Sequence, residues 1–321
     1  MVRVSWKTIK GKKYAYIAHS FRLPDGSVTT VTKRLRGGEE AKSIRALAKK
    51  YKEFFVEKEK AVSANWVSGY YKKSYIFSAE EMGKIEAMRV AYGYLIKRLD
   101  KTRLKDVFDR FTINFTYDSN AIEGNSLTLK DVAVILFDKE AVPNKSLREI
   151  YETRNSRVVV DMILKRRFKI SHRDIIKMHR LLMKDIEIRT GYKKIPNVIY
   201  RTEREVRTTP PEEVESEMTS LIEWCNKSDL HPLERASVFH GRFEKIHPFE
   251  DGNGRVGRFL VNVILVNNGY PPVIIRKTSR QAYMAALAVF DNGHEDKLKR
   301  FLLERFKDTY RKFFEVYVKY V

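Results

Sequence analysis

One twelve-residue stretch, His247-Pro248-Phe249-Glu250-Asp251-Gly252-Asn253-Gly254-Arg255-Val256-Gly257-Arg258, restricts the fold more than any other part of the chain. Ala236, Phe239, Phe243 and Ile246 before it fall on one helical face. Phe259, Leu260, Val263 and Ile264 after it do the same, until Asn268-Gly269 stops the second helix. The stretch is therefore a helix–loop–helix whose second helix opens at Gly252–Gly254. That order excludes a Rossmann site. Gly252-x-Gly254-x-x-Gly257 has the spelling of a dinucleotide fingerprint, but that fingerprint follows a β-strand, and here a helix precedes it. No GxxxxGK[ST] occurs either, so a P-loop is excluded.

Each residue type in the loop has a chemical use. Glycines let backbone approach a ligand, and the free N–H groups of a helix start make an anion site. Arg255 and Arg258 add fixed positive charge in a forked geometry suited to phosphate oxygens. Asp251 offers a hard oxygen ligand for Mg²⁺. His247, at the end of the preceding helix, can accept a proton near neutral pH. Phosphate site, metal ligand and general base at one spot point to phosphoryl or nucleotidyl transfer. A generic glycine turn explains any two of these residues but not the set.

The rest of the chain predicts a mainly α-helical bundle interrupted by a β-hairpin, with a small N-terminal α+β unit. Residues 1–38 alternate like three strands, and residues 39–60 read as charged helix. We therefore expect a sheet-plus-helix domain at 1–60, a linker at 61–75, a helical region at 76–145 and a helical core at 146–321. Ser146 with Glu149, Ser171 with Asp174 and Thr128 with Asp131 have capping-box spacing ahead of amphipathic runs. Residues 193–209 alternate around Thr202-Glu203-Arg204, a hairpin signal, and Pro210-Pro211 starts the next helix. His179 and His240 fall among apolar neighbours and read as packing residues, and no cluster has zinc spacing.

Charge bounds the partners. The chain holds 63 Lys/Arg against 41 Asp/Glu, a net +22, which favours a polyanionic partner. The excess is strongest in residues 1–38, with nine Lys/Arg against one acid, Asp25. A basic sheet there could lie in a DNA groove, so a nucleic acid is an expected partner of residues 1–60. No apolar run reaches membrane-span length, so no membrane partner is expected. The N-terminus shows no signal-peptide core and Cys225 is the single cysteine, which reads as a cytoplasmic protein without disulfides.

The twelve residues resemble the signature of the Fic (filamentation induced by cAMP) family, HxFx(D/E)GNGRxxR, at all eight specified positions. The resemblance extends over about residues 105–305, through Ser171–Met183, the hairpin near 195–208 and the helix from Pro210 to Trp224. It implies a Fic-type helical bundle and a protein adenylyltransferase (AMPylation of a Ser, Thr or Tyr hydroxyl from Mg²⁺-bound ATP). By that resemblance His247 is the base, Asp251 holds Mg²⁺, and Gly252, Asn253 and Gly254 form an anion hole. Arg255 binds phosphate oxygens, Arg258 grips the γ-phosphate, and the hairpin with Val198, Ile199 and Tyr200 is a flap that aligns the target. The loop departs from the kinase-like Doc branch, which carries Ala and Lys there, so AMP transfer is favoured over phosphorylation.

Ser119-Asn120-Ala121-Ile122-Glu123-Gly124 resembles the family's inhibitory motif, (S/T)xxxE(G/N). The resemblance implies that Ser119, Glu123 and Gly124 form an autoinhibitory helix end, with Glu123 pairing Arg258 and blocking the γ-phosphate. In some relatives the same glutamate serves AMP removal. Many relatives dimerise and some modify themselves, so a homodimer and self-modification are expected. The rival reading is a nucleic-acid-binding regulator in which the helical core senses nucleotide.

Overall fold

The computed structural model describes residues 2–138, 142–187, 189, 191–201 and 204–318. The chain divides into two compact units, Met1–Tyr94 and Leu95–Val321.

In the first unit, β1 (Val2–Ile9), β2 (Lys12–Arg22) and β3 (Val28–Arg34) form an antiparallel meander. Val4 pairs with Ile17, and Ile17 with Lys33, which fixes the register. Because side chains alternate along a strand, Ala15, Ile17 and His19 share one face of β2. That face packs with Leu35, Leu47 and Phe55, the latter two from α1 (Ile44–Lys50) and α2 (Lys52–Tyr70). The expected linker at 61–75 is not one over most of its length, since α2 runs through to Tyr70. Its Ser, Gly and aromatic content suggested a connector. The helix survives because Ser63 and Val67 bury one turn apart and Trp66 stacks on Tyr70 at 4.3 Å. The division between units falls after Tyr94, within α3 (Ala79–Arg98).

The second unit is helical: α4 (Lys101–Ile122), α5 (Leu129–Ala133), α6 (Leu147–Leu164) and α7 (His172–Leu182) lead to the hairpin β4 (Val198–Arg201) and β5 (Arg204–Arg207). Then follow α8 (Pro211–Lys227), α9 (Pro232–Ile246), α10 (Asn253–Asn267), α11 (Arg280–Asp291) and α12 (Asp296–Tyr310). The helix α10 is the axis of this unit: every residue from Arg255 to Val266 is buried. Such all-round burial needs helices on every side, and α4, α6, α7 and α9 supply them. Ser146 and Thr128 form complete capping boxes with Glu149 and Asp131. Ser171 caps α7, but Asp174 accepts from the Lys169 N–H instead, so that box is half made. The hairpin pairs Val198 with Arg207 and Ile199 with Val206. Its expected centre at Thr202 and Glu203 lies outside the described residues. Among the described residues no helix is long and apolar enough to cross a membrane.

Candidate active site

The site is built where α9 ends and α10 begins. Pro232 sits in the first turn of α9, and His247 ends it in the left-handed region, at φ 52° and ψ 61°. A non-glycine residue there is uncommon, and the turn it makes sends the chain across the start of α10. The His247 Nδ1–H donates to the Glu244 carbonyl oxygen (3.3 Å), which leaves Nε2 as the lone-pair nitrogen.

Gly252 begins α10, also left-handed (φ 79°), and offers no side-chain cap. The first-turn N–H groups of α10 therefore face the cleft as an anion site. Asn253 is buried and its side chain is committed to the loop: Nδ2 donates to the Phe249 carbonyl (2.7 Å), and Oδ1 accepts from the Phe249 N–H (2.8 Å). Asn253 thus braces the loop, and only its backbone is placed for an anion. A side chain at Gly254 would collide with the Glu123 carboxylate, so glycine there is what admits an oxygen to the helix start. At Gly257 a methyl group would meet Glu244 and the His240 ring. That glycine therefore serves the close approach of α10 to α9.

Both arginines point inward and are buried. Arg258 Nε donates to Ser119 Oγ (3.0 Å), Nη2 to the Ser119 carbonyl (2.8 Å), and Nη1 lies 2.7 Å from Glu123 Oε1. Burial alone would lower the Arg258 pKa; the charges of Glu123, Tyr283 and Glu244 outweigh it and raise it. Arg255 lies 3.5 Å from Glu152 and donates to Met183 Sδ. Asp251 is paired with Arg148, which also reaches Glu152. Burial pushes the Asp251 carboxyl up, but the Arg148 hydrogen bond, the Arg255 charge and the Gly252 N–H hold it below the usual carboxylate range.

The Glu123 end of α4 is clamped as well as paired. Phe115 packs edge-on to Phe259 at 4.8 Å, and Phe111 stacks on Phe115. Buried Asp118 accepts from the Lys277 N–H (2.9 Å), and Arg280 Nε donates to the Ile122 carbonyl (2.9 Å). Gly124, at φ 100°, stops the helix, its N–H donating to the Ala121 carbonyl (3.2 Å). These contacts fix the backbone that carries Glu123.

Two cavities meet here. One, of about 1000 Å³, is lined by His247, Gly254, Arg258, Tyr283, Leu287 and the flap residues Ile199 and Tyr200. The other, of about 470 Å³, is lined by Arg148, Asp251, Gly252, Asn253 and Arg255. Glu123, His247 and Gly254 border both, so Glu123 stands at their junction. Val198 is exposed on the flap and lines neither. Asp118, Arg148, Glu152 and Lys193 join the site without having been marked as site residues by the sequence. Asp118 adjoins the Ser119 motif, which was the one local signal.

Lys193 lies at the root of the flap, is buried, and among the described residues is met by neutral oxygens. Its Nζ donates to Asn197 Oδ1 and Thr208 Oγ1 (both 2.7 Å), and its N–H donates to the Pro248 carbonyl (2.8 Å). Both ends of the hairpin are thereby tied to the loop after His247. Burial pushes the Lys193 ammonium down to about 8.

Fold and site define a helical domain that gathers a helix N-terminus, buried arginines and a histidine around one cleft. Residues 169–265 match the Fic/DOC family, and the chain carries a Fic domain. It is 35% identical over 206 residues to a protein adenylyltransferase Fic of Nematostella vectensis, covering 60% of this chain and 47% of that one. It is 33% identical over 190 residues to protein adenylyltransferase fic-1 of Caenorhabditis elegans, covering 56% and 36%. The chain thus matches only a third to a half of the length of these relatives. A Fic-domain-containing signaling protein from Bacteroides thetaiotaomicron superposes with a TM-score of 0.64 at 29% identity, over 71% of this chain and 95% of that one.

Proposed function

We propose that this chain is a protein adenylyltransferase that moves AMP from Mg²⁺-bound ATP to a hydroxyl side chain of a protein, and that Glu123 holds it inactive. The observation that carries this reading is the single cleft in which His247, the start of α10 and Arg258 converge, with Glu123 on Arg258. The names of the relatives, protein adenylyltransferase, support it.

In this reading His247 Nε2 takes the proton of the target hydroxyl as its oxygen attacks the α-phosphorus. The bond to the β-phosphate oxygen breaks and pyrophosphate leaves. The N–H groups at the start of α10 and Arg255 stabilise charge on the phosphates, and Arg258 holds the γ-phosphate once Glu123 withdraws. Among the described residues no three His, Cys, Asp or Glu side chains could hold a metal by themselves. The ionised Asp251 fits a magnesium ion that is otherwise bound by phosphate oxygens and water, as that cation prefers. When bound, that ion would neutralise phosphate charge, and Arg148 would give up its pairing with Asp251. The exposed edge of the flap, with Val198 and Tyr200 at the surface, suits an extended target segment added as a strand. Dependence on ATP makes the cytoplasm the expected setting, and the chain itself is the first target to test.

The test is intact mass after incubation with Mg²⁺ and ATP plus a pool of candidate proteins, for wild type, Glu123→Gly and Glu123→Gly/His247→Ala. The reading predicts an AMP-sized increment that grows in the single variant and falls by about 10²–10⁴-fold in rate in the double. A phosphate-sized increment, or transfer that survives loss of His247, would overturn it.

A further inference from the structure

The open face of the N-terminal sheet is unused by any of this chemistry. Alternation puts Arg3, Ser5, Lys7 and Ile9 of β1, Lys12, Tyr14, Tyr16, Ala18, Ser20 and Arg22 of β2, and Val28, Thr30, Thr32 and Arg34 of β3 on the face away from the helices. Its register rows are Ile9–Lys12, Lys7–Tyr14, Ser5–Tyr16–Arg34, Arg3–Ala18–Thr32, Ser20–Thr30 and Arg22–Val28. The centre is therefore small, hydroxylic or aromatic, while Arg3, Lys7, Arg22 and Arg34 stand at the margins, all exposed, with Ile9 and Val28 exposed at the two ends. No acid lies on this face. Asp25, the one acid before residue 39, is turned into its own loop, accepting from Ser27 N (2.9 Å) and Oγ (2.6 Å). The other acids of the unit, from Glu39 onward, follow the sheet in the chain. Arg34 lies 3.8 Å over the Tyr14 ring and Lys7 lies 5.1 Å over Tyr16, so the cations are held in the plane of the face and not left to sweep through solvent.

We infer that this face is a binding surface for duplex DNA, with the sheet laid in the major groove. Three strands at about 4.8 Å spacing span about 10 Å, which matches a groove about 12 Å wide. Marginal cations would meet the phosphates on either side and set position, while central hydroxyls and the tyrosine edges would face the bases. Charge complementarity selects the occupant. Single-stranded RNA is disfavoured because base stacking needs open aromatic faces, and a cation already covers one face of each of Tyr14 and Tyr16. An anionic membrane is disfavoured because the centre of the face carries hydroxyls where an inserting surface would carry apolar side chains.

The experiment uses the full chain and a fluorescent 20-base-pair duplex, read by anisotropy from 50 to 200 mM salt. Three proteins are compared: wild type, Arg3→Ala/Lys7→Ala/Arg34→Ala, and a charge-matched control, Lys130→Ala/Lys165→Ala/Lys297→Ala. Thermal melts establish that each is folded. The inference predicts binding that weakens with salt, a loss of about a hundredfold in the sheet variant, and a salt slope smaller by about 2.7 (about 0.9 per phosphate contact). The control should bind as wild type. Three results would each overturn it: no duplex binding at 50 mM salt, equal loss in the control, or preference for single-stranded RNA or phosphatidylserine vesicles over duplex. His247→Ala should bind the duplex as wild type, which keeps this outcome separate from that of the transferase proposal.

Discussion

On the side of His247 proposed to hold phosphate, cations are met by carboxylates: the buried Arg258 by Glu123, the buried Arg255 by Glu152, and the exposed Arg148 by Asp251. On the flap side, buried titratable groups are met by neutral oxygens. Lys193 donates to an amide and a hydroxyl, and His179 stacks on Phe249 at 3.9 Å with its Nε2 3.1 Å from the Asp251 carbonyl. Burial pushes His179 down to about 4, so it is a neutral ring at neutral pH. The difference follows from what each side would receive. A site for phosphate needs standing positive charge, and a buried cation without a partner is costly, so a protein carboxylate stands in for the anion. A side that receives polypeptide needs shape and backbone partners but no charge. Glu123 pairs a fully buried arginine yet is itself partly exposed, at 42%, so its side chain has room to swing off Arg258.

The largest effect that would sharpen this contrast comes from the loop joining the two sides. Asn253→Ala removes both bonds to Phe249. The Phe249 carbonyl keeps Asn197 as a donor (2.9 Å), but its N–H is left buried without a partner. We expect a loss of about 2 kcal/mol in denaturant unfolding, and lowered transfer together with it. Stability equal to wild type would show that the loop does not depend on this brace.

Lys193→Met tests whether the flap side is held without charge. The folded-state value of about 8 lies below the ordinary lysine value, so the folded protein disfavours the ammonium form. That penalty is complete below pH 8 and is relieved as pH rises toward 10.5. Wild type should therefore gain about 1 kcal/mol relative to the variant between pH 7 and pH 9. Parallel stability profiles would mean that Lys193 stays charged beside an anion, which would break the contrast. The smallest effect is that of Ser119→Ala. Arg258 loses one of its bonds and keeps the Ser119 carbonyl and Glu123, so ATP binding by calorimetry should tighten by about threefold. No change would assign Ser119 to helix packing alone.

The parts of the site that could be read before the structure share one property: their partners are close in sequence. The glycines, His247 and both arginines sit within twelve residues, and the Ser119–Gly124 pattern is six residues long. The flap was legible from strand alternation over Val198–Arg207. Long-range pairing leaves no such local mark. Arg148 reaches Asp251 across 103 positions, and Asp118 reaches the Lys277 N–H across 159. No local spacing marks such residues. Asn253 was legible as a motif residue, but the commitment of its side chain to Phe249 depends on a turn that only the folded loop shows. The expected linker failed for the opposite reason: its composition is that of a connector, while the burial of Ser63 and Val67 is decided by what packs on them.

The central claim is that Glu123 occupies on Arg258 the place of the γ-phosphate. It is tested most directly by calorimetric titration of wild type and Glu123→Gly with Mg²⁺-bound ATP and, separately, with Mg²⁺-bound ADP. The account predicts that the substitution tightens ATP binding by about tenfold to a hundredfold, the worth of one charge-assisted hydrogen bond, and tightens ADP binding much less. Equal ATP affinity in the two folded proteins, or the same gain for ADP as for ATP, would contradict it.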